Sequence, residues 1–135
     1  EEMSVNAMWK RRQTTKFNGT SYIVQKGAAA IFTKEGMVQC RKNIGYYQEN
    51  AQIISDVLAK KGIRYFGGTN SPYIWFECPN GMDSWEFFDY LLNNAQVVGT
   101  PGAGFGKNGQ NFFRLTSFGT HESTKEAMAR FEKLF

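Results

Sequence analysis

From Met37 to Leu58 the apolar residues recur at alternating steps of three and four: Met37, Cys40, Ile44, Tyr47, Ala51, Ile54 and Leu58. At 3.6 residues per turn these fall on one stripe, and a stripe that long is stable only against another surface. Thr33 stands where a cap belongs and Gly62 where a helix stops, so the spacing predicts one helix from about Lys34 to Lys61. A coiled coil would show the same seam. Gly36 and Gly45 within a single uninterrupted length argue instead for packing on a sheet.

The strands that could supply that sheet follow the helix. Ile63–Phe66 and Tyr73–Cys78 read as strands around a turn, Gly67-Gly68-Thr69-Asn70-Ser71-Pro72. Asp83-Ser84-Trp85-Glu86 has the spacing of a capping box, opening a helix to about Asn94 with Trp85, Phe88 and Leu92 inward. Gln96–Gly99 reads as a short strand and Asn111–Phe118 as another. Thr120–Thr124 supplies caps for a last helix carrying Ala127, Phe131 and Leu134. Ahead of the long helix, Ser4 caps a helix to about residue 16 with Val5, Met8, Trp9 and Arg12 at helical spacing. Lys10, Arg11, Arg12 and Lys16 give it a basic, solvated face. After a turn at Phe17–Thr20, a second helix spans Ser21 to Phe32, and Gly27-Ala28-Ala29-Ala30 permits close packing within it. The order is three helices, two strands, a helix, two strands and a helix. This predicts an α/β sandwich: a small, largely antiparallel sheet covered by the long helices. About 60 residues of helix before any strand exceed what so small a sheet needs, and the chain reads as a piece of a larger protein.

Thr100–Thr120, TPGAGFGKNGQNFFRLTSFGT, carries the chemistry. Glycine at 102, 104, 106 and 109 frees the backbone for turns and close approach. Its literal G-x-G-x-x-G, Gly104 to Gly109, precedes a strand instead of opening a helix, and Gly106-Lys107 is followed by Asn108, so neither dinucleotide fingerprint nor P-loop applies. The loop is either a mobile hairpin or the wall of a pocket. In the strand after it, Phe112, Arg114 and Thr116 share one face, and Phe113, Leu115 and Ser117 the other. An arginine in mid-strand calls for an anion: an internal Asp or Glu, or a ligand carboxylate or phosphate held by its fork of donors. Asn18, before Gly19, is a turn or cap residue or a ligand contact.

Little else suits catalysis. His121 is the single histidine and falls in a helix cap, which reads as an exposed loop position. Ser117 lacks a GxSxG context, Cys40 and Cys78 form neither a disulfide framework nor a zinc set, and no metal-ligand cluster is present. The carboxylates Asp83, Glu86, Glu122 and Glu126 lie at helix starts, where the macrodipole accounts for them. A net charge of +4 is compatible with an anionic substrate or a nucleic acid and diagnostic of neither. The charged first residues and the lack of a long apolar run predict a soluble, cytoplasmic protein without a membrane partner.

RRQTTKFNGTSYIVQKGAAAIFTKEG, GGTNSPYIWFECPNGMDSWEFFDYLL and VVGTPGAGFGKNGQNFFRLTSFGT together resemble the C-terminal part of the LL-diaminopimelate aminotransferases. PG-x-x-FG-x-x-G followed by Arg and Ser is similar to fold-type I aminotransferases at large. The resemblance implies amino transfer between glutamate and tetrahydrodipicolinate on pyridoxal 5'-phosphate, in a homodimer. It implies that residues 1–33 are the helical tail of the large domain or the interdomain region, and residues 34–135 the small domain. Arg114 matches the arginine that clamps the substrate α-carboxylate, and Asn18 an asparagine that reaches cofactor and substrate in the neighbouring subunit. The family's cofactor-binding lysine, its pyridine-nitrogen aspartate and its phosphate cup match nothing here. The chain alone is therefore expected to be inactive, without covalent cofactor and without a catalytic residue. Two other readings are a small basic nucleic-acid-binding module using Phe112 and Phe113, and a domain that only dimerises. The first needs aromatics exposed on a sheet face, which the apolar stripes of the helices should cover, and it lacks the motif of RNA-binding sheets.

Overall fold

The computed structural model describes residues 4–135. They form two compact units, divided between Lys42 and Asn43.

In the first unit, helix α1 (Val5–Lys16) starts at Ser4, whose hydroxyl accepts from the Ala7 amide at 3.5 Å. It ends where the Phe17 and Asn18 amides both donate to the Gln13 carbonyl. Asn18 has φ 57 and Gly19 φ 83, so the chain leaves the helix through the left-handed region. Helix α2 (Tyr22–Ala30) follows, and Thr33 then caps α3 (Lys34–Lys60), its Oγ1 accepting from the Gly36 amide at 3.1 Å. A Cβ on Gly36 would lie 2.2 Å from the Ala30 carbonyl oxygen, so glycine lets α3 begin directly on the end of α2. No residue of α1 or α2 is buried: Trp9 is 61% exposed and Ile23 82%. Val5 and Met8 are exposed as well.

The second unit is built on a four-stranded sheet of β1 (Tyr65–Gly67), β2 (Tyr73–Glu77), β3 (Thr100–Pro101) and β4 (Phe112–Thr116), in the order β1-β2-β4-β3 and antiparallel throughout. Opposite β2, Ile74 faces Leu115 and Phe76 faces Phe113, and all four are buried. This face carries the core. Ala51, Ile54 and Leu58 of α3 join Phe87, Leu91 and Ala95 of α4 (Ser84–Ala95) and Met128 and Phe131 of α5 (His121–Glu132). Phe76, Phe87, Phe113 and Phe131 meet edge to face, with Phe87 and Phe113 centroids 4.9 Å apart. Each contributes about 1.5–3 kcal/mol by leaving water. Within this unit, α3, α4 and α5 pack on this face. The other presents Tyr73, Trp75, Phe112, Arg114 and Thr116, none of them buried.

The observed elements depart from the sequence reading at α4, at residues 96–99 and along α3. The inward face of α4 is Ser84, Phe87, Leu91 and Ala95; Trp85 is 58% exposed, Leu92 is exposed and Phe88 only borders the core. Both stripes are apolar, so spacing alone does not choose between them. Gln96–Gly99 is not a strand: Gln96 is the left-handed C-cap of α4, φ 50, and pairing waits until Thr100. Only the C-terminal half of the α3 stripe is buried, where it meets the sheet, and Ile44 is exposed. Asn50 and Ser55 of α3 are buried although polar.

Candidate functional site

Arg114 sits in the middle of β4 on the open face, opposite Trp75 of β2 and Thr100 of β3. Alternation puts it there, since Phe113 and Leu115 point into the core. Its guanidinium lies between two rings, 4.4 Å from the centroid of Tyr73 and 4.8 Å from that of Phe105. Its one hydrogen bond among the described residues is a long one, Nη2 donating to Thr100 Oγ1 at 3.4 Å. No carboxylate among the described residues comes within 4.0 Å of it. An ion pair with a described carboxylate therefore does not account for this residue. A half-buried cation with most of its five donors unengaged has the capacity to take an anion.

A cavity of about 320 Å³ opens beside it, lined by Tyr73, Val98, Gly99, Thr100, Arg114, Thr116 and Phe118. Gly99 belongs to the wall because a Cβ there would lie 2.2 Å from Phe113 Cε1 and 2.9 Å from the Arg114 carbonyl oxygen. Arg114 is the single charged group of this lining. A second cavity of about 370 Å³ shares Phe118 and runs between α3 and the 68–72 turn. Ser117 lines it, and its Oγ is the one buried side-chain polar atom among the described residues without a hydrogen-bond partner.

The glycine-rich loop shapes this site from the other side. It makes two short 3-10 turns, Gly102–Phe105 and Lys107–Gly109. Gly102 and Gly109 are buried against each other, a Cβ on either falling within 2.2 Å of the other's carbonyl oxygen. Gly106 takes φ 114, and Gly104 faces open space. Bonds from the Ala103 amide to Ser84 Oγ (3.2 Å) and from the Ser84 amide to the Gln110 carbonyl (2.8 Å) pin the loop to the start of α4. The loop is thus anchored at both ends, and it delivers the Phe105 ring to Arg114 and to Trp75 at 5.5 Å.

Asn18, in the first unit, is exposed, and its side chain has no hydrogen-bond partner among the described residues. Its left-handed backbone explains why asparagine suits the position and leaves the amide available.

His121 is not an exposed loop residue. It opens α5, half-buried, with its ring 3.8 Å from that of Tyr46, Nδ1 2.6 Å from Asn50 Oδ1 and Nε2 3.1 Å from Glu49 Oε2. Sequence reasoning missed this cluster because its members lie some 70 residues apart; the one signal was a polar Asn50 beside the apolar stripe. Cys78 is buried at the end of β2, and burial, with Asp83 nearby, pushes its thiol up to about 12. That thiol is no nucleophile.

An arginine on an open sheet face, sheathed by aromatics and flanked by a glycine-rich turn, sits within a fold shared by a known group of enzymes. The chain belongs to the aminotransferase class I and II family, whose family model matches residues 3–131. It is similar to proteins named LL-diaminopimelate aminotransferase, 57% identical over 132 residues in Azobacteroides pseudotrichonymphae genomovar. CFP2 and 54% over 133 residues in Methanosphaera stadtmanae. Each match takes in 98% of this chain, and 33% and 32% of the relative respectively. The solved L,L-diaminopimelate aminotransferase from Chlamydomonas reinhardtii superposes with a TM-score of 0.88 at 40% identity, over 97% of this chain and 32% of its own. The chain spans about a third of the length of the relatives it matches.

Proposed function

We propose that the chain is the C-terminal third of an LL-diaminopimelate aminotransferase, residues 34–135 forming its small domain and residues 1–33 the tail of its large one. The parent moves an amino group between glutamate and tetrahydrodipicolinate on pyridoxal 5'-phosphate, as a cytoplasmic homodimer. Support comes from the family membership and the similarity to enzymes of that name. No described helix is long and apolar enough to cross a membrane, which is compatible with that location.

Within the parent, this chain's part is recognition of the substrate carboxylate. The observation that carries it is Arg114, half-buried and without a carboxylate partner among the described residues. The described residues do not by themselves fit the pyridoxal phosphate: no lysine lines either cavity. What they fit is a carboxylate. The guanidinium binds it bidentately, while Tyr73 and Phe105 hold the fork flat and keep water from its faces. Such clamping fixes the substrate's orientation relative to the rest of the site, which is where positioning lowers a barrier. Asn18, with its free amide on a sharp turn, is assigned to the neighbouring subunit's site.

The test is Arg114→Lys in the full-length parent. Lysine keeps the charge and loses the fork, so kcat/KM for glutamate should fall about 30- to 1000-fold, or roughly 2–4 kcal/mol. An unchanged kcat/KM would remove Arg114 from the substrate.

A further inference from the structure

A buried amide must engage both its ends, and Asn50 does so with unusual economy. It is fully buried on α3, and its Nδ2 donates to the Ser117 carbonyl at 3.0 Å and to the Gly119 carbonyl at 2.7 Å. Carbonyls only accept, so these two contacts fix which end of the amide is nitrogen. Oδ1 must then accept, and the His121 Nδ1 2.6 Å away must carry the proton. His121 is held in turn: its ring rests on Tyr46, its backbone amide donates to Tyr46 Oη at 3.1 Å and its Nε2 faces Glu49. One turn of α3, residues 46–50, thus grips the backbone where β4 runs out into α5.

The residue between the two gripped carbonyls is Phe118. Its side chain is a wall of the Arg114 cavity and of its neighbour. It stands edge-on to Tyr47 (5.0 Å, 86°) and to Tyr73 (5.9 Å, 89°), and Tyr73 is the ring on which the Arg114 guanidinium lies. Asn50 thus holds the backbone on either side of Phe118, and from the Phe118 ring contacts run through Tyr73 to Arg114. An apolar residue at position 50 would leave two carbonyls without their donor, so the polar choice specifies the shape of this exit segment.

We propose that Asn50, oriented by His121, is a positioning residue for carboxylate binding: it sets Phe118 as the wall of the Arg114 cavity and so fixes how the arginine meets its substrate. The proposal rests on the reading of Arg114 as the carboxylate anchor.

The test is the affinity of glutarate, a non-reacting dicarboxylate, for the full-length parent, measured by calorimetry alongside the melting temperature. Asn50→Asp keeps the volume and replaces the donor by an acceptor. It should weaken glutarate about 3- to 30-fold, within the usual coupling between contacting residues, and should change the affinity less than about twofold when Arg114 is already Lys. His121→Ala should give a loss in the same direction. His121→Asn, which keeps a donor where Nδ1 stood, should restore most of it. If Asn50→Asp does not fold, Phe118→Leu at an exposed position carries the same cycle. An Arg114→Lys protein that binds glutarate as the wild type does overturns the anchor, and this proposal with it. If Arg114→Lys weakens binding while Asn50→Asp and Phe118→Leu either leave it alone or add independently to Arg114→Lys, the anchor stands and the positioning role is overturned.

Discussion

Replacing Gly109 with alanine puts a methyl carbon 2.0 Å from the Gly102 carbonyl oxygen and 2.6 Å from its carbonyl carbon. Ordinary contact begins near 3.4 Å, so the two 3-10 turns must part by about 1.4 Å. Both sides of the contact are backbone, and neither can swing away as a flexible side chain would. Gly102→Ala meets the same obstacle from the other side, 2.2 Å from the Gly109 oxygen, 2.4 Å from the Phe112 oxygen and 2.9 Å from Trp75 Cη2. Overpacking of this kind costs about 1–3 kcal/mol, and for a backbone clash the upper end applies, equivalent to roughly 10–20 °C in Tm for a unit of this size. Gly104, two residues from Gly102, is the internal control. A Cβ there meets nothing within 4 Å and its φ is not left-handed, so Gly104→Ala should be neutral or stabilise by about 0.5 kcal/mol. Thermal melts of the three variants decide the matter. Equal stability of Gly109→Ala and Gly104→Ala would refute the claim that close backbone approach, and not general loop freedom, explains these glycines.

Arg114→Ala should lower stability by only about 1–2 kcal/mol, the worth of two ring contacts, because no buried carboxylate is left behind; a loss of about 3–5 kcal/mol would reveal a stranded charge. The Cys78 thiol, pushed up from its usual 9.0 to about 12, should resist iodoacetamide at pH 8 in the folded chain and react on unfolding. Because the folded value is the higher one, its contribution to stability is complete below pH 9 and should be lost as pH rises towards 12, which titrated melts would show. The exposed Trp9, Tyr22 and Ile23 should drive self-association of the isolated chain, and a clean monomer in sedimentation at high micromolar concentration, without dye binding, would contradict this. Asn18→Ala should weaken cofactor or substrate binding in the parent at nearly unchanged stability, and mixing it with a subunit lacking the cofactor lysine should restore some activity if Asn18 serves the opposite site.

How much of this was legible beforehand depended on whether a signal was local. Caps were: Ser4, Thr33, Asp83 with Glu86, and Thr120 all do the work their residue types imply. The two faces of β4 were legible because strand alternation leaves no choice of side. The inward face of α4 was not, since Trp85, Phe88 and Leu92 form as apolar a stripe as Phe87, Leu91 and Ala95, and docking on the sheet chose between them. The open face of the sheet was misjudged for a related reason. Apolar stripes show that helices need cover, not that they cover both sides, so the aromatics around Arg114 remain exposed to a partner or substrate. The site itself was half visible. Arg114 announced itself as a cation in an apolar strand, whereas Phe105, Tyr73 and the Asn50–His121 pair reach it only through tertiary contacts.

The central claim is that Arg114 holds the carboxylate on the substrate's reacting carbon. The most direct measurement compares kcat/KM of the full-length parent, wild type and Arg114→Ala, for glutamate and for 4-aminobutyrate, which keeps the distal carboxylate and lacks the other. Loss of the arginine should lower kcat/KM for glutamate by about 100-fold or more while leaving the poor rate with 4-aminobutyrate within about threefold. An equal fall for both amines would show that Arg114 supports the site without touching that carboxylate.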